Sequence, residues 1–258
     1  MPNRTALLVA HPGHELRVHH WLERTRPTVF VITDGSGTAG EPRVESTLHV
    51  LAATGAAPAK VMGRLSDEQV YAAILSGDAD GVAEIVLDIA RELAESGVDF
   101  VVADACEFYN PTHDLCWVMA MAAVAEARSL TGRAISCYDY AVVGTPDPGE
   151  GSGEIVVRLD DGALRRKLDA AMGYPELRKD VEIALQLDRV ESFRTEALRP
   201  VAADGVLPVP EGRAFYERAG EELVAAGRFS TVLRYHEHFL PFVANLGKAL
   251  EAMTALRA

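Results

Sequence analysis

Cysteine is scarce in this 258-residue chain, and a membrane-length apolar run is missing. The three cysteines, Cys106, Cys116 and Cys137, are odd in number and lack C-x-x-C spacing. Neither a disulfide framework nor a cysteine-built zinc site is indicated, and reduced thiols are expected. No apolar stretch approaches the roughly 20 residues that a membrane helix needs. Positive charge is also short: 25 Lys and Arg against 38 Asp and Glu leave a net charge of -13, which argues against the clustered cations that nucleic-acid binding requires. Met1 gives way to a strand-like run at Thr5 without a basic segment, an apolar stretch and a cleavage site, so no export signal is expected and the location is read as cytoplasmic. What remains favours a small-molecule substrate, with no nucleic acid and no membrane; homo-oligomerisation stays open.

What is present is an alternation of buried-type strands and helices. Thr5 to Ala10 is a short apolar run that leads into His11-Pro12-Gly13-His14, and Thr28 to Thr33 is a second such run ending at Asp34-Gly35-Ser36-Gly37. Between them, Glu15 to Arg24 is helix-compatible, which makes a βαβ unit. The pattern predicts a helix over 43–54, a short strand over 60–62, an amphipathic helix over 80–96 and a central strand over 99–104. A buried helix follows over 112–129, with Thr112 as its N-cap and Pro111 blocking extension backward. Residues 134–143 and 154–159 read as two strands joined by the Pro/Gly/Asp-rich turn at 144–153, more consistent with an antiparallel addition than with another crossover. Beyond 160 the chain reads mainly helical, over 161–172, 176–187, 211–226 and 241–256. The fold class is therefore α/β: a Rossmann-like, mostly parallel sheet flanked by helices, with an antiparallel addition and a helical C-terminal extension. Residues 1–160 form the core, and 161–258 a mainly helical extension packed on the same domain.

In parallel α/β sheets, ligands gather outside the carboxyl ends of the strands. Three polar loops fall there: 11–15, 34–38 and 107–114. His11 and His14 past the first strand and His113 at the start of a helix past another can converge on one divalent cation. His-x-x-His alone is a weak signal, and a lone His at a helix start is often a cap. Glu107, Asp114 and Asp34 are the candidate proton carriers. Asp34 before Gly35 has a turn-forming alternative, and Asp114 in a first helical turn meets the helix dipole in any case. Arg43 is a candidate substrate clamp, with a surface ion pair to Glu41 or Glu45 as its plainer alternative. Tyr235-His236-Glu237-His238-Phe239 has a spacing that suits an extended segment, so His238 is a candidate substrate contact or simply a surface residue.

Ala10-His11-Pro12-Gly13-His14-Glu15 after a first strand, Thr33-Asp34-Gly35 with Arg43 after a second, and Asn110-Pro111-Thr112-His113 at a helix start occur in that order. The first half of the chain resembles the PIG-L/LmbE-like family of zinc-dependent N-acetylglucosaminyl deacetylases, whose corresponding motifs read A-H-P-D-D-E, T-D-G and H-P-D-H. The resemblance implies His11, His14 and His113 as metal ligands, with His14 where a ligand Asp normally sits. It also implies that Gly13 replaces the family's general base and that Asn110 replaces the His credited with assisting proton transfer; Asn110 is then a candidate substrate contact. Exchanging an anionic ligand for neutral imidazole leaves a metal site more positive, which should acidify bound water.

The function expected is a zinc-dependent hydrolase that removes an acyl group from an N-acylated amine, such as an amino sugar or a related metabolite. Two alternatives stay open: other metal chemistry (a lyase, an isomerase or an Fe(II)-dependent reaction, since neutral nitrogens also suit Fe2+ or another divalent metal), and a catalytically silent metal- or ligand-binding protein.

Overall fold

The computed structural model describes residues 4–256 except 38–39, 144–145, 147–152, 189 and 203–204. Most of the turn read at 144–153 therefore lies outside the described residues, as does the end of the loop at 34–38.

The centre of the molecule is β1 (Thr5–Val9), five residues that are all buried because both sheet faces are covered. It pairs in parallel with β2 (Thr28–Thr33) on one side and β4 (Phe100–Asp104) on the other. Adding β3 (Ala57–Leu65), β5 (Ser136–Tyr140), β6 (Ile155–Arg158) and β7 (Thr195–Val201) gives the strand order β3-β2-β1-β4-β5-β7-β6. The first five run parallel, and β7 and β6 close the edge with antiparallel pairs. Strand order reverses between β1 and β4, so the crevice past their carboxyl ends is the switch point where such sheets bind ligands.

Alternate β1 residues face opposite layers. Ala6 and Leu8 pack with the apolar residues of α4 (Asp80–Glu95), α5 (Pro111–Thr131) and α9 (Leu240–Ala255). Leu7 and Val9 pack with Trp21 and Leu22 of α1 (His19–Thr25) and Leu51 of α2 (Val44–Thr54). The result is a sheet between two helical layers, with every residue of the first strand used. None of the helices among the described residues is long and apolar enough to cross a membrane.

Several elements differ from the sequence reading. The first helix opens as a 3-10 turn over His14–Val18 before α1. Strand β3 runs for nine residues where three were read. Helix α3 (Asp67–Ser76) has no counterpart among the elements the sequence pattern predicts, although Ser66 and Gln69 form a full capping box at its start. The strands at 136–140 and 155–158 do not pair with each other: β5 is parallel to β4, and β7 lies between β5 and β6. That strand escaped the sequence because Pro200 demotes the run; Pro200 sits opposite Tyr138, beyond the span paired with β6. The remaining helices are α6 (Asp161–Met172), α7 (Arg178–Asp188) and α8 (Phe215–Ala225). The histidines at 236 and 238 lie in a π-helical turn, Tyr235–Phe239, rather than in an extended segment.

One buried ion pair fastens the second half of the chain to the first. Lys167 of α6 donates to Glu196 Oε1 of β7 at 2.9 Å and to the Arg17 carbonyl at 2.6 Å. Both side chains are essentially excluded from solvent. Glu196 also accepts from the amides of His20 and Trp21 at 3.0 and 2.8 Å, which caps α1, a helix with no side-chain cap of its own. Removing the cation alone strands a buried carboxylate, so Lys167→Met is expected to cost about 3–5 kcal/mol in urea denaturation. The double variant Lys167→Met/Glu196→Gln should recover part of that loss, and a single variant as stable as wild type would refute the role assigned to the pair.

Candidate metal centre

Three local features aim the histidines into the crevice between β1 and β4. The amide of Ala10 at the end of β1 donates to Asp104 Oδ2 at the end of β4, 2.8 Å away, which ties the two loops together. Gly13 then turns the chain at φ +104°, a conformation that L side chains rarely adopt, and brings His14 back over the strand end. Across the crevice, Asn110 caps α5 by accepting from the Thr112 amide at 2.8 Å, and Pro111 occupies the first helical position. His113 is thereby fixed in the first turn of a buried helix.

Each of the three histidines offers one ring nitrogen, and these atoms lie within 4.8 Å of one another. The rings meet edge to face, with centroids 4.6–5.1 Å apart. Their outward nitrogens fix the tautomers. His14 Nδ1 lies 2.6 Å from Asp104 Oδ2, so it carries the proton and leaves Nε2 with its lone pair. His11 Nδ1 lies 2.8 Å from Thr33 Oγ1 and 2.9 Å from Asp67 Oδ1. Because the Thr33 hydroxyl already donates to the Ala10 carbonyl, His11 Nδ1 must be the donor. His11 Nε2 and His113 Nδ1 are both buried with no hydrogen-bond partner among the described residues. Buried unsatisfied nitrogens at a shared point are costly unless something binds them.

Burial, reinforced by repulsion from the neighbouring rings, holds His113 well below the usual imidazole range; burial also lowers His11, against the pull of Asp67. Neutral imidazoles keep the lone pairs that a cation needs. Asp104 is completely buried, which alone would raise its pKa, but the His14 ring and its hydrogen bond hold it below the ordinary carboxylate value. Tyr140 donates to its other oxygen at 2.7 Å. A carboxylate behind a ligating imidazole is the usual outer support of a metal site. The residues therefore fit one divalent cation with an open position.

Other candidates are placed differently. Glu107 accepts from the amides of Val142 and Val143 at 2.8 and 3.0 Å, and its pKa is raised by burial. Asp114 accepts from the amides of Glu107 and Phe108 at 3.1 and 3.0 Å, and burial lifts it to about 7. Asp34 accepts from the amide and hydroxyl of Ser36 at 2.9 and 2.6 Å, a turn bond. All three carboxylates thus hold loops. Asn110 spends its oxygen on the helix cap, and His238 Nδ1 accepts from the Arg234 amide at 3.0 Å, away from the cleft described next. Asp67, Asp104 and Tyr140 were missed as supports. Asp104 had a signal, as the last residue of a strand beside β1; Asp67 had none, because it lies on the unread helix α3.

A cleft of about 290 Å³ opens beside His11 and His14. Arg17 and Arg43 border it, and Leu16, Leu177, Val181 and Phe193 form its apolar wall. Arg43 is steadied by Nε donation to the Gly35 carbonyl at 2.6 Å. Leu177, just ahead of α7, packs directly on Gly13: a Cβ at residue 13 would collide with Leu177 Cδ1. The space where a residue-13 side chain would begin is filled.

The fold is shared with solved deacetylases. The deacetylase-bog complex of the teicoplanin biosynthesis pathway is 15% identical over 77% of this chain and 97% of its own, with a TM-score of 0.52. The deacetylase-teicoplanin complex of that pathway is 15% identical over 77% of this chain and 98% of its own, with a TM-score of 0.50. No family model and no curated protein matches the sequence.

Two predictions follow the geometry. Asp104→Asn should weaken zinc binding by roughly 10–100-fold in calorimetric titration, because the outer support of His14 is lost; unchanged affinity would remove Asp104 from the site. In metal-free protein, the unfolded His113 imidazole titrates at 6.5 and the folded one lower. Below about 6.5 the unfolded state takes up a proton that the folded state refuses, so this stability is present above 6.5 and lost as pH falls through the folded value. The Tm of His113→Gln minus that of wild type should therefore rise as pH falls from about 7 to about 5; a flat difference contradicts the assignment.

Proposed function

We propose that this chain is a metal-dependent amide hydrolase of the deacetylase type, which removes an acyl group from a small N-acylated amine. The observation that supports it is the convergence of three imidazole nitrogens, two from buried and one from a half-buried histidine, within 4.8 Å at the strand-order switch point of this fold. Zinc is the metal the neutral nitrogen set suits best, with Fe2+ as the other fit. Held there, it supplies a Lewis acid for the acyl carbonyl and water activated near neutral pH, with a pKa of about 7 in comparable sites.

The chain's own residues do the rest. His11 and His14 present lone pairs on Nε2 because Thr33, Asp67 and Asp104 engage their Nδ1 atoms, and burial keeps His113 neutral. Arg43, and Arg17 across the cleft, provide hydrogen-bond donors for the polar part of the substrate, such as sugar hydroxyls or an anionic group. The wall formed by Leu16, Leu177, Val181 and Phe193 excludes water and receives apolar substrate surface. Glu107 and Asp114 act as positioning residues that shape the loop ahead of His113, and the PIG-L/LmbE-like resemblance of the motifs agrees with this reading.

A second reading, a silent metal-binding homologue, is favoured by Gly13, which has no side chain to take a proton and is covered by Leu177. The two differ in turnover. Protein purified without added metal is expected to contain about one zinc per chain by elemental analysis and to release acetate from N-acetylated amines such as N-acetylglucosamine derivatives. His113→Ala should lose both the metal and the activity. A stoichiometric metal with no turnover across a broad N-acyl panel would decide for the silent reading.

A further inference from the structure

Loss of the carboxylate at residue 13 leaves the hydrolase reading without a proton acceptor in the first loop, so any acceptor must come from elsewhere in the cleft. The carboxylates near the histidines are committed. Asp104 is completely buried between the Ala10 amide, His14 and Tyr140. Asp67 lies against His11 and accepts from the Gly37 amide at 2.6 Å. Glu15 is completely buried and accepts from the Gly13 amide at 2.7 Å, and burial raises its pKa.

Among the described residues that line the cleft, the one carboxylate is Asp180. It is solvent-exposed, on the first turn of α7, and its carboxylate makes no hydrogen bond or ion pair with another described residue. An acid in a first turn meets the helix dipole wherever it is, so that position alone means little. Two further observations give it meaning. Asp180 shares the cleft with His11, Gly13 and His14. It also stands three residues after Leu177, on the same face of the turn that the Val181 amide closes on the Leu177 carbonyl at 2.9 Å. The turn that fills the vacated place above Gly13 therefore delivers a new acid to the same cleft.

Resting on the amide-hydrolase reading, we propose that Asp180 is the general base of this protein, moved from the loop after β1 to α7. As water attacks, its oxygen forms the new bond to the acyl carbon and one of its protons passes to the Asp180 carboxylate. As the C–N bond breaks, the departing amine keeps the bonding electron pair and takes that proton. Asp180 ends as it began, and the second half of the chain completes a site that the first half leaves unfinished.

The test compares wild type with Asp180→Asn, Asp180→Ala and Asp180→Glu, all metal-loaded. Asp180→Asn should keep its metal content and Tm while kcat falls roughly 10²–10⁴-fold with little change in KM. Asp180→Glu should retain more activity than Asp180→Asn, and added formate should restore part of the Asp180→Ala rate in a saturable way, which a structural role would not permit. A readout independent of turnover is oxidative cleavage by Fe2+ with ascorbate, mapped by mass spectrometry: cuts are expected near residues 11–14 and also near 178–181. An active wild type whose Asp180→Asn variant stays within a few-fold of it, or absence of cuts near 180, overturns this inference and leaves the hydrolase reading standing. A fully metal-loaded wild type without turnover on the N-acyl panel overturns the hydrolase reading, and Asp180 as its base falls with it.

Discussion

The hydrogen bond between Asp104 and His14 is the constraint on which the rest of the site depends. Asp104 ends β4 with no solvent exposure, so its charge must be met by donors inside the protein. Ala10 from the end of β1, the His14 ring and the Tyr140 hydroxyl from β5 meet it, which draws three neighbouring strand ends to one carboxylate. The same bond sets the His14 tautomer and leaves its other nitrogen facing His11 and His113. The orientation of His14 follows from the need to neutralise one buried anion.

Negative charge in this site stands behind an imidazole, on Asp104. Where the resemblance implies a carboxylate in direct contact with metal, this chain has an imidazole with a carboxylate behind it. Negative charge is still close enough to support a cation, but it is held by a hydrogen bond instead of by coordination. The cleft beyond is unusual for a chain with a net charge of -13, because Arg17 and Arg43 border it and Asp180 is the one acid among its described lining residues. Local cations on an acidic protein focus the field on whatever binds there.

The second half of the chain does more than cover the first. Lys167 and Glu196 fix α6 and β7 to the start of α1, with a buried pair whose strength depends on both partners. From that anchor the chain passes through Leu177 onto Gly13 and into α7, so the cleft wall and the backbone of the loop bearing His11 and His14 are packed as one unit. Gly13 and Leu177 are packed as a pair: Leu177 Cδ1 occupies the volume in which a Cβ at residue 13 would begin.

Much of the architecture was legible because hydrophobic runs and turn residues are local signals. The β1, β2 and β4 strands and the buried α5 followed from residue order alone, and so did the placing of His11, His14 and His113 at one sheet edge; the cap of α5 did not, since Asn110 fills it by accepting from the Thr112 amide where the pattern points to Thr112 itself. Strand β7 was not legible, since its Pro200 and mixed polarity make sense only beside β5 and β6. Glu107, Asp114 and Asp34 looked alike in sequence as acids on the correct loops; only the folded chain showed amides pointing at each. The sequence by itself determined the parallel core and which imidazoles stand at its carboxyl end, because strand patterning and turn chemistry act over neighbouring residues. Tertiary structure alone decided which carboxylates are spent on backbone donors, which imidazole nitrogens are left open and which acid reaches the cleft, because those depend on contacts between segments as far apart as Gly13 and Leu177.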